Sequence, residues 1–305
     1  MIAVHSFRSD KIRPWLQSIG GPAMVKPMLQ IMALSSATIS KHHPEFVLIT
    51  DDAGKEMAEA CRLPYSEIVS VGENFDSDPC FWVHSKLHAY SMMDSPFVHF
   101  DTDIFLWEQL PEDYLSSLVF AFHTEAFSWP VYERYQENLQ KIGFVLPKFG
   151  LNWWLNKAPL NMAVFGGNGV GLKAINRYAD MILRAVKGHD GFRNYSESDK
   201  AVVDESLPYI EQAQASFFIQ GSEGLKAELL LTENQAVNGL EVPGVRITHL
   251  QAFKQRAMRE GKTLDLMLRL QKKLKEVNED VSSAVEDFTK DAIYEVESML
   301  GDSND

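Results

Sequence analysis

The chain has 305 residues, 45% hydrophobic and 23% charged, an ordinary globular balance with enough apolar content for one large domain or two small ones. Its formal charge is −13, but residues 276–305 hold ten acidic residues and one lysine, a net −9, so residues 1–275 carry only −4. Neither part offers the basic patch that nucleic acid or an anionic membrane requires, and Cys61 and Cys80 make no disulfide framework or paired-cysteine metal motif.

Ile2–Phe7 is a short apolar run that predicts the first strand. The opening MIAVHSFRSDK has no basic region ahead of an apolar core, so no signal peptide is expected and the simplest location is the reducing cytoplasm. Val25–Ile39 carries Met28, Ile31, Met32, Leu34 and Ile39, an irregular helical pattern. The uncharged stretch Pro27–Ser40 is too short and too polar to span a bilayer. A second strand, Phe46–Ile49, runs into TDDAG, where Thr50 and the two aspartates are placed to cap a helix beginning near Lys55. Ile68–Val71 predicts a third strand. Trp82–Met93, WVHSKLHAYSMM, sets Val83, Leu87, Tyr90 and Met93 at helical spacing and predicts a helix carrying Lys86. Strand and helix thus alternate through the first hundred residues, which predicts an α/β fold: a mostly parallel sheet flanked by helices, with ligands at the carboxyl ends of its strands.

Leu118–Phe122 is another apolar run, ended by His123, Thr124 and Glu125; Glu125 suits either an acceptor contact or plain solvent. Residues 127–160 are rich in aromatics, and Trp153 and Trp154 suit either stacking on a sugar or burial. Met162–Phe165 predicts a strand leading into GGNGVG, Leu172–Val186 a helix, Gly188–Ser198 an exposed loop and Val245–Thr248 the last strand. From Met267 the pattern changes: Met267, Leu270, Leu274, Val277, Val281, Ala284 and Phe288 form a heptad-like stripe on one long helix. That stripe either packs on the domain or serves a partner or a second copy.

The strongest chemical signal lies in PFVHFDTDIFL, residues 96–106, read as a strand with Asp101 and Asp103 one residue apart. On a strand, residues i and i+2 point the same way. Two like charges side by side cost energy unless a cation sits between them. A divalent cation chelating a diphosphate meets that need, since hard oxygen ligands suit Mg2+ and Mn2+. The plainer reading is a strand end capping the next turn. Other patterns are weaker. Gly169, Gly171 and Ala174 satisfy a dinucleotide fingerprint, but KGHDGFRNYSESD follows where a second strand is needed. The D-T-D of a phosphatase belongs on a first strand, and three predicted strands precede Asp101. His84 and His88 stand at i and i+4, without the glutamate a zinc protease needs between them.

In its context the block resembles a known family. S-K-L-H-A-Y-S-M, a turn, then F-V-H-F-D-T-D-I-F-L is similar to the core of glycogenin-like, metal-dependent glycosyltransferases of the GT-A fold, and the wording around it to a bacterial glycosyltransferase-like subgroup. The resemblance implies that Lys86 contacts a nucleotide sugar and that Asp101 and Asp103 hold the metal. NMAVFGG, Asn161–Gly167, resembles the family's N-[AS]-G strand with Ala163 in place of glycine, and implies that Asn161, Gly166 and Gly167 approach the sugar. ITHLQAFK resembles the late histidine-to-lysine segment, one residue shorter and without its glycine; it implies His249 as third metal ligand and Lys254 on the diphosphate. Glu211-Gln212 resembles the D-Q pair beside the reacting carbon.

The implied protein is a GT-A catalytic domain over residues 1–255 with a C-terminal helical extension over 256–305. It would move a sugar from a nucleotide-diphosphate sugar, a UDP-sugar first, to a glycan, lipid or protein acceptor with Mn2+ or Mg2+. His5, Ser6 and Phe7 would line the nucleotide cleft. Glu211, Gln212 and Lys86 would serve catalysis, Glu211 as base in an inverting reaction or as stabiliser in a retaining one; the resemblance favours retention. The alternative is a non-catalytic protein that binds a nucleotide sugar or a partner on the same scaffold, with the C-terminal helix mediating docking or self-association.

Overall fold

The computed structural model describes residues 1–9, 25–72, 75–125, 129–146, 158–231, 240, 244–250 and 260–301. In chain order the strands are β1 (Ile2–Ser6), β2 (Phe46–Thr50), β3 (Glu67–Ser70), β4 (Phe97–Phe100), β5 (Ile104–Leu106), β6 (Val119–Thr124), β7 (Leu160–Gly167), β8 (Glu228–Leu229) and β9 (Ile247–His249). The helices are α1 (Val25–Ile39), α2 (Asp52–Ala60), α3 (His84–Met92), α4 (Glu112–Leu115), α5 (Trp129–Lys141), α6 (Gly169–Gly188), α7 (Glu197–Pro208), α8 (Thr263–Val277) and α9 (Glu279–Gly301). No helix among the described residues is long and apolar enough to cross a membrane. The chain divides into two compact units: Met1–Phe7, Asn74–Asp101 and Leu110–Ala236 form the first, and Arg8–Glu73, Thr102–Gln109 and Val237–Asp305 the second.

In the first unit the strands run in the order β1-β4-β7-β6-β8. β1 is parallel to β4 and β6 to β8, while β7 is antiparallel to both β4 and β6. Four of these five strands therefore point the same way, the mostly parallel α/β arrangement expected. All four residues of β4 and all eight of β7 are buried, as central strands covered on both faces require. One edge of the sheet gathers the carboxyl ends of β1, β4 and β6 with the amino end of β7. α6 presents Leu172, Ile175, Tyr178, Ala179, Ile182 and Val186 as one buried stripe at helical spacing. Its close seating depends on Gly171, where an added Cβ would fall 1.8 Å from the Leu118 carbonyl oxygen.

Residues 188–198, expected as an exposed loop, are pinned instead. A 3-10 turn at Asp190–Phe192 buries Phe192 against Phe81 and Phe144. The Asp78 amide donates to the Gly191 carbonyl at 2.7 Å, and Arg193 donates to the Phe75 carbonyl at 3.0 Å. α7, whose N-cap Ser196 accepts from the Asp199 amide, leads into two π-helical turns at Tyr209–Gln214 and Phe217–Ser222.

In the second unit β2 pairs in parallel with β3, and β5 pairs antiparallel with β9. Asp51 caps α2 by accepting from the Gly54 amide at 2.8 Å, so the cap expected within TDDAG is present and the helix begins three residues before Lys55. α1 is tied to β5: Ser35 donates to the Ile104 carbonyl at 2.5 Å, and Thr38 Oγ1 accepts from the Leu106 amide at 3.2 Å. The C-terminal stripe does not lie on one helix. Asn278, with φ −157° and ψ 98°, separates α8 from α9. Both helices pack on α1 and on each other, burying Leu266, Leu270, Leu274, Val281 and Val285.

His43, buried just past α1, is held neutral: burial, and then the neighbouring His42, push its pKa down to about 4 from 6.5. A histidine depressed in this way contributes stability that is present above pH 6.5 and lost as pH falls towards 4, on the order of 3 kcal/mol. Urea midpoints followed from pH 6.5 to 4 should fall less steeply in His43→Gln than in the wild type. An unchanged slope would place the acid sensitivity on other groups.

Candidate active site

Asp101 and Asp103 do not share a strand. The Asp101 amide still donates to the Ala163 carbonyl at 2.8 Å, continuing the β4–β7 ladder of the first unit. Two residues on, the Asp103 carbonyl accepts from the Leu250 amide at 3.1 Å, where the β5–β9 ladder of the second unit begins. The two aspartates occupy the turn between those ladders, so the same-face argument from strand geometry does not hold.

In the first unit Asp101 belongs to a buried ionic set. The Lys86 ammonium, on α3, donates to Asp101 Oδ1 at 2.5 Å and to Glu211 Oε1. Lys86 is 6% exposed and Glu211 7%. Burial pulls the lysine down, but Asp101 and Glu211 outweigh it and hold the ammonium well above the ordinary lysine range. For Glu211 burial dominates, Lys86 only partly opposes it, and the carboxyl stands above the usual range. His99, on β4, places Nδ1 3.9 Å from Asp101 Oδ1 and shares a hydrogen bond of 2.9 Å between Nε2 and Ser6 Oγ. Burial, then Lys86 and His5, push its pKa well down, so the ring is neutral.

A second, polar layer adjoins this set. Asn161 donates from Nδ2 to Glu125 Oε1, and its Oδ1 accepts from the Ala163 amide at 2.9 Å. Gln212 donates from Nε2 to the same Glu125 oxygen at 3.3 Å, while Tyr132 donates to Gln212 Oε1 at 2.9 Å. The Tyr132 bond thereby fixes which end of the Gln212 amide faces Glu125. The π-helical turn is itself held: Ser216 donates to the Gln212 carbonyl at 2.5 Å, and the Tyr178 hydroxyl donates to that of Ile210.

In the second unit β9 brings His249 opposite Ile104, and His249 Nε2 lies 3.3 Å from Asp103 Oδ1. Both residues are buried, so Asp103 is less accessible than a surface ligand.

The sequence of the chain matches over residues 1–256 a family model described as a family of unknown function (DUF6734). The chain belongs to that family. No curated protein matches it. Among solved structures, an active-site mutant of LgtC matches with a TM-score of 0.40 and 12% identity, covering 86% of this chain and 96% of its own. Mouse xyloside xylosyltransferase 1, in its apo form, matches with a TM-score of 0.39 and 12% identity, covering 81% and 96%.

The residues expected at the site distribute unevenly in this DUF6734 chain. Lys86, Asp101, Asn161, Glu211, Gln212 and Glu125 gather in the first unit, and Asp103 meets His249 in the second. Of the three residues expected in the nucleotide cleft, His5 is wholly buried in β1, while Ser6 and Phe7 are half-buried at its end. Gly166 and Gly167 are buried in β7, where an added Cβ would fall 2.1 Å from the Phe97 carbonyl oxygen and 2.4 Å from that of Leu118 respectively. Internal packing thus accounts for both glycines. Lys254, Trp153 and Trp154 lie outside the described residues. Tyr132 belongs to no spaced motif and is identified only by its partner Gln212; His99 stands inside the F-V-H-F-D-T-D block without a role of its own there, and only its contacts with Ser6 and Asp101 single it out.

Proposed function

We propose that the protein is a metal-dependent glycosyltransferase of the GT-A type, moving a sugar from a nucleotide-diphosphate sugar, a UDP-sugar first, to a hydroxyl acceptor. One observation carries the reading. Lys86, Asp101, Asn161 and Glu211-Gln212 come from four separate stretches of sequence, each singled out by the same family resemblance, and they meet in one polar cluster in which Lys86, Asn161 and Glu211 are buried and Asp101 and Gln212 half-buried. It lies where β4 and β6 end and β7 begins, at the edge where α/β sheets bind ligands.

Asp101, Asp103 and His249 are the proposed metal ligands. Their chemistry fits Mn2+ or Mg2+, which favour carboxylate oxygens, Mn2+ also accepting imidazole. Asp103 Oδ1 and His249 Nε2, 3.3 Å apart, are close enough for one ion to touch both, and Thr102 alone separates Asp103 from Asp101 in sequence. When bound, the ion supplies Lewis-acid neutralisation of a departing diphosphate. Lys86 brings a second, permanent positive charge. Gln212 and Asn161, each with a fixed amide orientation, are suited to hydroxyl recognition around the sugar. Glu211, buried beside Lys86, is suited to stabilise positive charge near the anomeric carbon, and retention is the outcome the family resemblance favours.

The test is thermal denaturation with a panel of UDP-sugars, with and without Mn2+. The wild type should be stabilised most by donor and metal together, because a ligand that binds only the folded chain raises stability by mass action. Asp103→Asn should keep its melting temperature without ligand and lose the metal-dependent rise. If Asp103→Asn responds to donor and Mn2+ as the wild type does, the metal assignment is wrong. Stabilisation by a donor that is never hydrolysed or transferred would favour the binding-protein alternative.

A further inference from the structure

Lys86 occupies a place where a cation belongs. Its ammonium donates to Asp101 at 2.5 Å and also to Glu211, with the Met162 carbonyl at 3.4 Å as a further acceptor. One positive and two negative groups leave this buried set with a formal −1. Asp101 thus meets the protein's own cation through Oδ1, and a metal drawn to this carboxylate shares it with the ammonium. Glu211 differs: it is no proposed ligand, and the π-helical turn that carries it is fastened at Ile210 and Gln212. The lysine therefore has one anchor that stays and one partner that a competitor can claim.

Resting on the metal-dependent reading above, we propose that Lys86 is a built-in counter-cation that competes with a divalent ion for Asp101, and that the ammonium, on giving up Asp101, meets the donor's diphosphate. Metal and nucleotide depend on each other in consequence. Without a diphosphate, a metal must leave the lysine with Glu211 alone. With a diphosphate present, the lysine gains a new anionic partner and releases Asp101 more readily. This coupling is reciprocal, since linkage requires that each ligand change the affinity of the other by the same factor.

The test is calorimetric titration of MnCl2 into the full chain, with and without UDP. The decisive variant is Lys86→Met with Glu211→Gln. It removes one positive and one negative charge, so the set keeps its formal −1, and the one anion left without its lysine is the half-buried Asp101, not the buried Glu211. Any change in affinity then reports the freeing of Asp101 and not a change of net charge. A neighbouring charge commonly shifts what a carboxylate binds by about tenfold or more, so Mn2+ alone should bind the double variant about tenfold more tightly than the wild type. The extra affinity that UDP confers should shrink by a similar factor. A double variant that binds Mn2+ no more tightly than the wild type overturns the exchange and leaves the metal reading standing. A wild type that binds no Mn2+ even with UDP removes the metal reading, and this inference with it.

Discussion

Lys86→Ala is expected to lower the unfolding free energy by about 3–5 kcal/mol at neutral pH, the range for removing one partner of a buried ion pair. Two carboxylates then face each other with no cation between them, one of them almost wholly buried. The loss should be smaller in mild acid, and the sign can be worked out. Glu211 already stands above the ordinary glutamate value of 4.5 because burial disfavours its charge, and Lys86 is what opposes that rise. Without the lysine it rises further. A carboxyl group raised in the folded state contributes stability that is present below its unfolded pKa and lost as pH rises through its folded value. Urea melts should therefore show the variant losing stability, relative to the wild type, as pH climbs above 4.5. Adding Glu211→Gln should restore part of the loss at neutral pH and flatten this dependence. A Lys86→Ala variant as stable as the wild type at neutral pH would mean that the pair contributes nothing to folding.

The strands and helices of the first hundred residues were legible because short apolar runs there alternate with stretches of helical spacing, and because Asp51 marks its helix start in TDDAG. The break between β4 and β5 was not. FVHF and IFL are both entirely buried, so no alternation announces that one ladder ends and another begins. α7 escaped notice because ESDKAVVDESLP is polar on nearly every face, and the π-helical turns after it have no regular period to detect. The kink at Asn278 was hidden by an apolar spacing that carries on across it. As for the site, its individual residues could be picked out by resemblance, but not their pairing. Lys86 and Glu211 lie 125 positions apart, and no local pattern predicts that one ammonium would serve both Glu211 and Asp101. Tyr132 orients Gln212 from 80 positions away, again with no local cue.

Removal of the chain beyond Gly261 is expected to abolish folding of the second unit, not merely to detach an appendage. α8 and α9 bury Leu266, Leu270, Leu274, Val281 and Val285, and both pack on α1. At about 1.5–3 kcal/mol for each fully buried aliphatic side chain, the five amount to about 7–15 kcal/mol, an upper estimate because the unfolded chain is itself partly collapsed. Even half of that is comparable with the whole stability of a typical domain, about 5–15 kcal/mol. α1 would be left with an uncovered face, and the ties from Ser35 and Thr38 to β5 would hang on a helix with little to hold it. The truncation removes a net charge of only −5 and leaves −8 on residues 1–261, so the aggregation it causes comes from uncovered apolar surface and not from lost charge. Light scattering should show aggregates, and circular dichroism a loss of helix larger than the removed residues account for. A milder probe reaches the same interface: Leu270→Ala, at a fully buried position, should cost about 2–5 kcal/mol in a urea melt. A truncated chain that is soluble, monomeric and as resistant to urea as the parent would show that α8 and α9 are dispensable to the fold. The stripe they carry would then have to be explained by a partner.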